Sequence, residues 1–481
     1  MLEGVNVKKS VMFVASECNP FCGTGGLADV AGSLPEALHK TGEYDVRVVV
    51  PLYSKIDASY RKQFRFIGNI NVPLSWRNQY CGVFSYTKNG VIYYFIDNEY
   101  YFKRDNIYGE FDDGERFAFF SKAALEIMPF LDFYPHVLHC NDWQTALAVI
   151  YLKTLYNNKN KYRDIKTVFT VHNLEYQGRY GHDCLADLFG LPEYTSTMLD
   201  FDGCLNLVKG AIEVSDSVTT VSPTYAKEIT QPFFAYGLEN IISRNEYKLC
   251  GILNGIDEKV YNPKTDDKLF ENYSKSNLAG KTTCKTQLQK MLDLPIREDV
   301  PVVAMITRLA AHKGLDLVNA AIEEFLQQDV QFIVLGTGEK VYENFFSYVA
   351  ERYNGKMRFI AAYNKDFAGK LYSAADLFLM PSRQEPCGLS QMIACRYGTI
   401  PVVRRTGGLG DSIVSVDQED GFGYIFDDYN AHDMLFTLKR AVEDYKNTAL
   451  WKKYVKRAMA VDFSWNVSAV GYTELYDSLL F

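Results

Sequence analysis

Hydrophobic and polar positions follow a regular pattern along most of this 481-residue chain. Short β-rich runs are separated by longer segments in which apolar residues recur at helical spacing. In the first half the predicted strands are Val11–Ser16, Val46–Val50, Val137–His139, Thr167–Val171 and Ser217–Val221. The predicted helices are Leu27–Lys40, Arg116–Ile127, Trp143–Leu155 and Leu205–Val214. Continuous apolar strands separated by helices predict an α/β fold with a parallel sheet covered on both faces.

The second half repeats this architecture. Its predicted strands are Val302–Thr307, Phe332–Leu335, Met357–Ala361, Leu377–Met380 and Ile400–Val403. The length exceeds what one hydrophobic core usually serves, so we predict two Rossmann-like domains at 1–255 and 256–460. A last helix at 461–481 is expected to pack back on the first domain. Two segments break the rhythm: Phe64–Ile96 indicates an antiparallel insertion, and the polar stretch Asn262–Lys281 indicates a surface excursion.

Composition and charge exclude several classes of protein. Fifty-one Lys and Arg against 59 Asp and Glu give a formal net charge of −8, which is unfavourable for a nucleic-acid binder. The apolar runs are strand-sized, whereas a membrane helix needs about 20 apolar residues. The N-terminal segment has no signal-peptide core. The ten cysteines are scattered and include no CxxC pair. We therefore expect a cytoplasmic protein with reduced thiols, no membrane partner and no nucleic-acid partner.

A glycine-rich turn, Gly23-Thr24-Gly25-Gly26, follows the first predicted strand. Glycine amides at a helix start can approach an anion closely, although an ordinary tight turn has the same sequence features. A dinucleotide-dependent oxidoreductase would have a third glycine where Ala28 stands. Thr24–Asp29 recurs as Thr406–Asp411, which indicates one such turn in each half of the chain.

Basic and acidic residues follow strands of the second half. Arg308 and Lys313 come after Val302–Thr307, where both side chains could reach a diphosphate or could belong to a solvated turn. Glu385 lies before a helix that we expect to begin near Leu389. Its carboxylate could accept hydrogen bonds from sugar hydroxyls, or it could only balance the helix dipole.

Several of these motifs resemble those of bacterial glycogen synthases and plant starch synthases. Glu385–Gln391 and Arg396–Leu409 carry the closest similarity. The other matching segments, in the family's order, are Ser16-Glu17, Thr24–Asp29, Asp142-Trp143, Val171–Asn173, Val221–Ala226, Asn254–Asp257 and Lys313–Asp316. The resemblance runs from residue 16 to past residue 409, so it covers both predicted domains.

The resemblance implies a GT-B fold, with two doubly wound parallel-sheet domains facing a central cleft. It implies a retaining glucosyltransferase that moves glucose from ADP-glucose to the non-reducing end of an α-1,4-glucan. No Asp-x-Asp motif of the kind that holds a metal ion and a diphosphate stands out, so we expect neither a metal nor another cofactor. ADP-glucose and a glycogen-like or starch-like primer are the expected partners.

Residue roles carried over from the family follow its motifs. Arg308 and Lys313 would stabilise the leaving diphosphate, and Glu385 would contact the donor sugar. From the first domain, Asp142 and His172 would line the reacting centre, although a plain helix N-cap and a core histidine are the alternatives. The implied substrate-binding residues are Thr24, Gly25, Gly26, Asp29, Asn254, Cys387, Gly388, Leu389, Thr406 and Gly407.

One position departs from the family pattern. The family's turn begins with a lysine expected to meet the donor phosphates, and this chain has Gly23 there. The loss allows weaker donor use, another nucleotide such as UDP, or a compensating cation elsewhere. It also allows a glucan-binding paralogue with weakened catalysis. We hypothesise that Gly23→Lys raises donor affinity or turnover by restoring the charge.

Overall fold

The computed structural model describes residues 8–362 and 364–481. The chain divides into two compact units. The first comprises the residues up to Asn254 together with Trp465–Phe481, and the second is Gly255–Ser464. The borders predicted from sequence lie at 255/256 and 460/461.

Twelve strands of the first unit fall within the described residues. They are β1 (Lys9–Val14), β2 (Tyr44–Pro51), β3 (Arg65–Leu74), β4 (Arg77–Lys88), β5 (Val91–Asp97), β6 (Val137–Asn141), β7 (Lys166–Val171), β8 (Arg179–Tyr180), β9 (Asp200–Phe201), β10 (Cys204–Asn206), β11 (Ser217–Thr220) and β12 (Leu249–Gly251). Nine form one sheet in the order β12-β11-β7-β6-β1-β2-β5-β4-β3. From β12 to β5 all neighbours are parallel, because apolar runs such as Val11–Val14 are buried on both faces.

Helices cover this sheet. They are α1 (Gly26–Lys40), α2 (Ala58–Arg61), α3 (Glu99–Phe102), α4 (Asp113–Leu131), α5 (Trp143–Tyr151), α6 (Cys184–Asp187), α7 (Ser196–Leu199), α8 (Leu207–Val214), α9 (Pro223–Glu228), α10 (Pro232–Ala235) and α11 (Glu239–Arg244). The predicted helix Trp143–Leu155 is α5 continued by a π-helical turn at Leu152–Tyr156.

The predicted antiparallel insertion is confirmed in part. β4 pairs antiparallel with both β3 and β5, and β3 is the edge strand of the sheet. However, β5 also pairs in parallel with β2, so the insertion extends the main sheet and does not form a separate layer. A second small antiparallel sheet has the order β8-β10-β9.

The second unit has a six-stranded sheet among its described residues. Its strands are β13 (Val302–Ile306), β14 (Gln331–Leu335), β15 (Met357–Ile360), β16 (Leu377–Met380), β17 (Ile400–Arg404) and β18 (Tyr424–Phe426). The order is β15-β14-β13-β16-β17-β18, and every neighbouring pair is parallel. Its helices are α12 (Ala279–Met291), α13 (Leu315–Phe325), α14 (Lys340–Arg352), α15 (Lys365–Ala374), α16 (Ser390–Arg396), α17 (Gly407–Ser412), α18 (Ala431–Tyr445) and α19 (Thr448–Ala458).

The predicted surface excursion at Asn262–Lys281 is wrong at its C-terminal part. Tyr273 is buried, and its hydroxyl donates to the Tyr397 carbonyl at 2.7 Å. The Lys281 ammonium is buried as well and donates to three carbonyl oxygens and the Thr399 hydroxyl. These hydrogen bonds stabilise the buried ammonium, so this part of the segment is buried although its composition is polar.

The last helix, α20 (Trp465–Leu480), returns to the first unit. Tyr476 is fully buried and its hydroxyl lies 2.7 Å from His139 Nδ1. Asp477 accepts hydrogen bonds from Lys9 and Tyr44, both at 2.6 Å. The chain's last helix therefore completes the packing around its first strand.

Candidate active-site residues

A short hairpin links β1 to the glycine-rich turn. Its arms are joined by Cys18 N to Cys22 O, 2.8 Å, and Cys22 N to Cys18 O, 2.9 Å. At its tip the Phe21 ring contacts five rings of the described chain at centroid distances of 5.0 to 5.9 Å: Tyr60, Phe64, Tyr86, Tyr93 and Phe95. All of these rings except that of Tyr60 belong to the antiparallel insertion, which thereby anchors the turn.

Glu17 occupies the inner side of the glycine-rich turn. Its side chain is buried, and Oε2 accepts hydrogen bonds from the Thr24 amide at 2.6 Å and the Thr24 hydroxyl at 2.8 Å. Burial raises the pKa of the Glu17 carboxyl, and the nearby Asp29 carboxylate adds to this, whereas hydrogen bonds from Thr24 and Ala28 oppose it. The polar groups of Thr24, a predicted substrate-binding residue, thus face a protein carboxylate.

Asp29 and Asn19 fasten the start of α1 to the hairpin. Asn19 Nδ2 donates to Asp29 Oδ1 at 2.6 Å, and the Asn19 amide donates to the Ala28 carbonyl at 2.9 Å. One carboxylate oxygen of Asp29, a predicted substrate-binding residue, therefore accepts a hydrogen bond from the hairpin. Gly25, the N-cap of α1, is in an extended conformation with φ −163°, and α1 begins at Gly26.

Asp142 and His172 lie together at the carboxyl ends of β6 and β7. Asp142 Oδ1 accepts the His172 amide at 2.7 Å. Asp142 has φ 58° and ψ 177°, a conformation that L-residues rarely adopt, and its side chain makes no capping hydrogen bond to α5. Asp142 thus stands at the N-cap position of α5, but its side chain binds the His172 amide and does not cap the helix. Burial raises the pKa of Asp142 to about 7, with the Glu17 charge adding to it.

Asn141 sets the tautomer of His172. Asn141 Nδ2 donates to the Val14 carbonyl at 3.0 Å, which turns its Oδ1 towards His172 Nε2 at 2.9 Å. Since this amide oxygen only accepts, Nε2 carries the proton and Nδ1 has the free lone pair. Burial lowers the pKa of His172 to about 3, so the imidazole is neutral at ordinary pH.

Asn254 ends the first unit. Its side chain is 5% exposed, and its Oδ1 is buried without a hydrogen-bond partner among the described residues. A buried amide oxygen without a partner is unfavourable by itself and indicates a donor supplied from elsewhere.

In the second unit Lys313 and Glu385 form an ion pair. Lys313 follows β13, and Glu385 precedes α16. The Lys313 ammonium lies 2.9 Å from Oε1 and 2.7 Å from Oε2 of Glu385, and the Ser382 hydroxyl donates to Oε2 at 2.9 Å. Arg308 is exposed and makes no ion pair with any residue of the described chain. Of the two predicted diphosphate-binding residues, Lys313 is therefore ion-paired with a carboxylate and Arg308, among the described residues, is not.

Two predicted substrate-binding segments of the second unit are brought together. The Gly408 amide donates to the carbonyls of Glu385 and Pro386, both at 3.2 Å. Gly407 has φ 42°, and a Cβ atom there would lie 2.0 Å from the Glu385 carbonyl oxygen. Cys387 and Thr406 are buried, and Leu389 is the N-cap of α16.

The two echoed turns therefore differ in conformation. Gly25 is extended and a Cβ atom there would meet only Glu17 Oε1 at 4.0 Å, whereas Gly407 is left-handed and tightly packed. Both segments begin a helix, but the backbone conformation of their first glycine differs.

Within residues 8–362 and 364–481, no group of three or more His, Cys, Asp or Glu side chains could hold a metal ion. None of the helices in the same residues is long and apolar enough to cross a membrane. All ten cysteines are free.

Comparisons with known proteins place this geometry in a family. Residues 10–244 match the family described as "Starch synthase catalytic domain", and residues 288–458 match "Glycosyl transferases group 1". A glycogen synthase of Bacillus cereus (strain B4264) is 48% identical over 475 residues, covering 98% of this chain and 100% of the relative. The chain belongs to the glycogen and starch synthase family.

Other family members and solved structures agree. A glycogen synthase of Geobacillus thermodenitrificans (strain NG80-2) is 46% identical, with 98% of each chain covered. The catalytic domain of starch synthase IV from Arabidopsis thaliana, bound to ADP and acarbose, has a TM-score of 0.90 and 33% identity, covering 98% of this chain and 99% of that one. This confirms the predicted GT-B fold. A sucrose-phosphate synthase from Thermosynechococcus elongatus, at a TM-score of 0.62 and 16% identity, shares the fold alone.

Sequence reasoning did not assign site roles to Glu17, Asn141 or Ser382. In the sequence Glu17 is only part of a family motif, and its hydrogen bonds to Thr24 depend on the hairpin. Asn141 directly precedes Asp142 at the end of a buried strand, and that position was the available signal. Ser382 stands three residues before Glu385, a spacing at which side chains in a turn can meet.

Proposed function

We propose that this chain transfers glucose from ADP-glucose to the non-reducing end of an α-1,4-glucan, with retention of the anomeric configuration. The observation that carries the proposal is the full-length likeness to the starch synthase IV catalytic domain, whose bound molecules are ADP and acarbose. A nucleoside diphosphate and an oligosaccharide analogue represent the two kinds of substrate that such a reaction requires.

The second unit supplies groups suited to the leaving diphosphate. Arg308 offers an exposed guanidinium at the carboxyl end of β13, where ligands of such sheets sit. Lys313 lies beside it in sequence and shares its charge with Glu385. Fixed cations stabilise the negative charge that develops on the diphosphate as the bond to the sugar breaks. These groups support a reaction without a metal ion.

The first unit supplies groups suited to the sugar. His172 is neutral and presents the Nδ1 lone pair to a hydroxyl, and the Asp142 carboxyl is held beside it. In the proposed reaction the bond from the anomeric carbon to the diphosphate oxygen breaks and a bond to the acceptor hydroxyl oxygen forms on the same face. The hydroxyl proton passes to the leaving phosphate, so no enzyme nucleophile is required.

The first experiment measures nucleotide release by the full chain from ADP-glucose and, in parallel, UDP-glucose, with glycogen as primer and EDTA present. We expect primer-dependent ADP release that EDTA does not reduce. Glu385→Gln should abolish most of it, and Glu351→Gln, which changes an exposed helix residue, should not.

Other outcomes would contradict the proposal in different ways. Release of UDP alone would change the donor. Loss of activity with EDTA, restored by a divalent cation, would overturn metal independence. Glycogen binding without release of either nucleotide would favour the catalytically weakened paralogue that Gly23 suggests.

A further inference from the structure

The side chain of Gln391, in the first turn of α16, connects the turn before that helix with α17. It is fully buried. Its Nε2 group donates hydrogen bonds to the Cys387 carbonyl at 3.2 Å, to the Gly388 carbonyl at 3.0 Å and to the Ser412 hydroxyl at 3.1 Å. Cys387 and Gly388 are predicted substrate-binding residues, and Ser412 ends α17. One amide group therefore joins the predicted substrate-binding turn to the neighbouring helix.

The acceptors determine which way this amide points. The Ser412 hydroxyl donates its own proton to the Gly408 carbonyl at 2.6 Å, so it can only accept from Gln391. All three neighbours of the amide nitrogen are thus acceptors, and the NH₂ side must face them. The Gln391 Oε1 atom is buried without a hydrogen-bond partner among the described residues, which is unfavourable. The amide holds the two carbonyls although its own oxygen is unpaired, which indicates that their direction matters.

Holding the two carbonyls fixes the N–H groups of the same peptide units. In a trans peptide the C=O of one residue and the N–H of the next point in opposite directions, and both peptides here are trans. Because the Cys387 and Gly388 carbonyls face Gln391, the amides of Gly388 and Leu389 point away from it. Neither amide donates a hydrogen bond to any residue within 8–362 or 364–481, and both residues are partly exposed. Both donors are therefore available to a ligand.

We propose that Gln391 is a positioning residue for the donor, which turns the Gly388 and Leu389 amides towards the leaving diphosphate. This inference rests on the proposed function. The same turn carries Glu385, whose carboxylate is paired with Lys313. Two amide donors near that ammonium would share in stabilising the charge that develops on the diphosphate as its bond to the sugar breaks. Gln391 is buried behind the turn and acts on the donor only through it.

The conformation of Gly388 fits this role. Gly388 has φ 71°, in the left-handed region that favours glycine. A Cβ atom there would lie 2.6 Å from Gln391 Oε1 and 3.1 Å from Glu385 Cγ. The Gln391 amide and the Glu385 side chain therefore pack against the same glycine, so one close-packed turn sets the direction of both the amides and the carboxylate.

The chain offers a matched control for Gln391. Gln289 is also fully buried in the second unit, and its Nε2 group donates to the Arg297 carbonyl and to Gln331 Oε1, both at 2.9 Å. Gln331 is the first residue of β14, so this amide lies at the amino end of the strand, opposite the end where ligands of such sheets sit. The same substitution at the two positions therefore separates lost stability from lost donor binding.

Gln391→Met and Gln289→Met each remove one buried amide and keep a side chain of similar length. The Kd for ADP is measured by calorimetry on the full chain, and the KM values for ADP-glucose and for glycogen by ADP release. We expect Gln391→Met to raise the Kd for ADP and the KM for ADP-glucose at least tenfold and to leave the KM for glycogen within twofold. Gln289→Met should leave all three constants within twofold. An ADP Kd within twofold of wild type in folded Gln391→Met, or an equal rise in both variants, would overturn the inference.

Hydrogen exchange in the wild type gives a test that does not depend on the folding of a variant. Mass spectrometry follows the peptide that contains the Gly388 and Leu389 amides, with and without ADP. We expect ADP to slow the exchange of these amides at least fivefold, because they become donors to the diphosphate. An unchanged exchange rate, with calorimetry showing that ADP is bound, would contradict the inference.

The two proposals can fail separately. If the wild type binds ADP but releases no nucleotide from ADP-glucose, the proposed function fails, and the ADP affinities of Gln391→Met and Gln289→Met still decide the role of Gln391. If the wild type is active and Gln391→Met binds ADP as tightly as the wild type does, only the role of Gln391 fails.

Discussion

The ammonium of Lys313 spans both carboxylate oxygens of Glu385, at 2.9 and 2.7 Å, although 72 positions separate the two residues in the chain. Glu385 is 7% exposed, so its charge is stabilised mainly by this lysine and by Ser382. The pair connects the segment after β13 with the turn before α16. Lys313 therefore has two tasks in the proposed reaction: it holds Glu385 in place and it contributes positive charge near the diphosphate.

Replacing Lys313 by Gln should lower kcat by about 10²–10³-fold, the usual effect of removing one electrostatic stabiliser of a transition state. Lys313→Arg keeps the charge and should retain more activity. ADP release and the melting temperature are measured for each variant. Activity within threefold of wild type in Lys313→Gln, with an unchanged melting temperature, would contradict the role.

Asp142 makes stability depend on pH. Burial raises its pKa to about 7, well above the usual value of an aspartate, so the folded protein holds this proton more tightly than the unfolded chain. Its contribution is then fully present below about pH 4 and is lost as the pH rises through 7. Relative to Asp142→Asn, the wild type should lose free energy of unfolding between pH 5 and pH 8.

Urea unfolding of both proteins at the two pH values measures this difference. The raised Glu17 pKa and the lowered His172 pKa add a pH dependence of their own, but both residues are present in both proteins, so the comparison isolates Asp142. An equal pH dependence in the two proteins would show that Asp142 is ionised at pH 5.

Gly407→Ala should destabilise the second unit by about 1–3 kcal/mol, since the new Cβ atom would lie 2.0 Å from the Glu385 carbonyl oxygen. Activity should fall as well, because the clash displaces Glu385. The echoed position gives a matched control: Gly25→Ala places its Cβ atom 4.0 Å from the nearest atom and should change stability by no more than about 1 kcal/mol. Equal effects at the two positions would contradict the packing difference.

Phe21→Ala should cost about 3–5 kcal/mol of unfolding free energy, as for other fully packed phenylalanines. The hairpin would lose its anchor, so kcat should fall in the variant that remains folded. Phe111→Ala, which removes a ring that is 91% exposed, should change stability by about 0.5 kcal/mol or less. Chemical unfolding measures both, and a small effect at Phe21 would show that its ring cluster does not hold the turn.

The sequence predicted most of the regular core. Val11–Val14 and Val302–Ile306 are continuous apolar runs, which parallel sheets covered on both faces require, and both are central strands. Family motifs then pointed to Lys313 and Glu385, and the structure brings these two together. Their roles in catalysis stay predictions.

The remainder depended on partners distant in sequence. Lys281 lies in a polar stretch, and only the fold supplies the carbonyls of Ser373, Ala375 and Tyr397 that allow its burial. Glu17 and Thr24 are close in sequence, but their contact requires the hairpin between them. Neither the hydrophobic pattern nor the motif spacing contains this information.

The position of α20 also has a consequence for the order of folding on the ribosome. Most of the first unit emerges early, but Tyr476 and Asp477, which contact His139 and Tyr44, are synthesised after the whole second unit. At roughly 5–20 residues per second, the nascent chain leaves His139 of β6 and Tyr44 of β2 without these partners for on the order of tens of seconds. The second unit can complete its own core during that interval, whereas the first unit is finished only after α20 has left the ribosome.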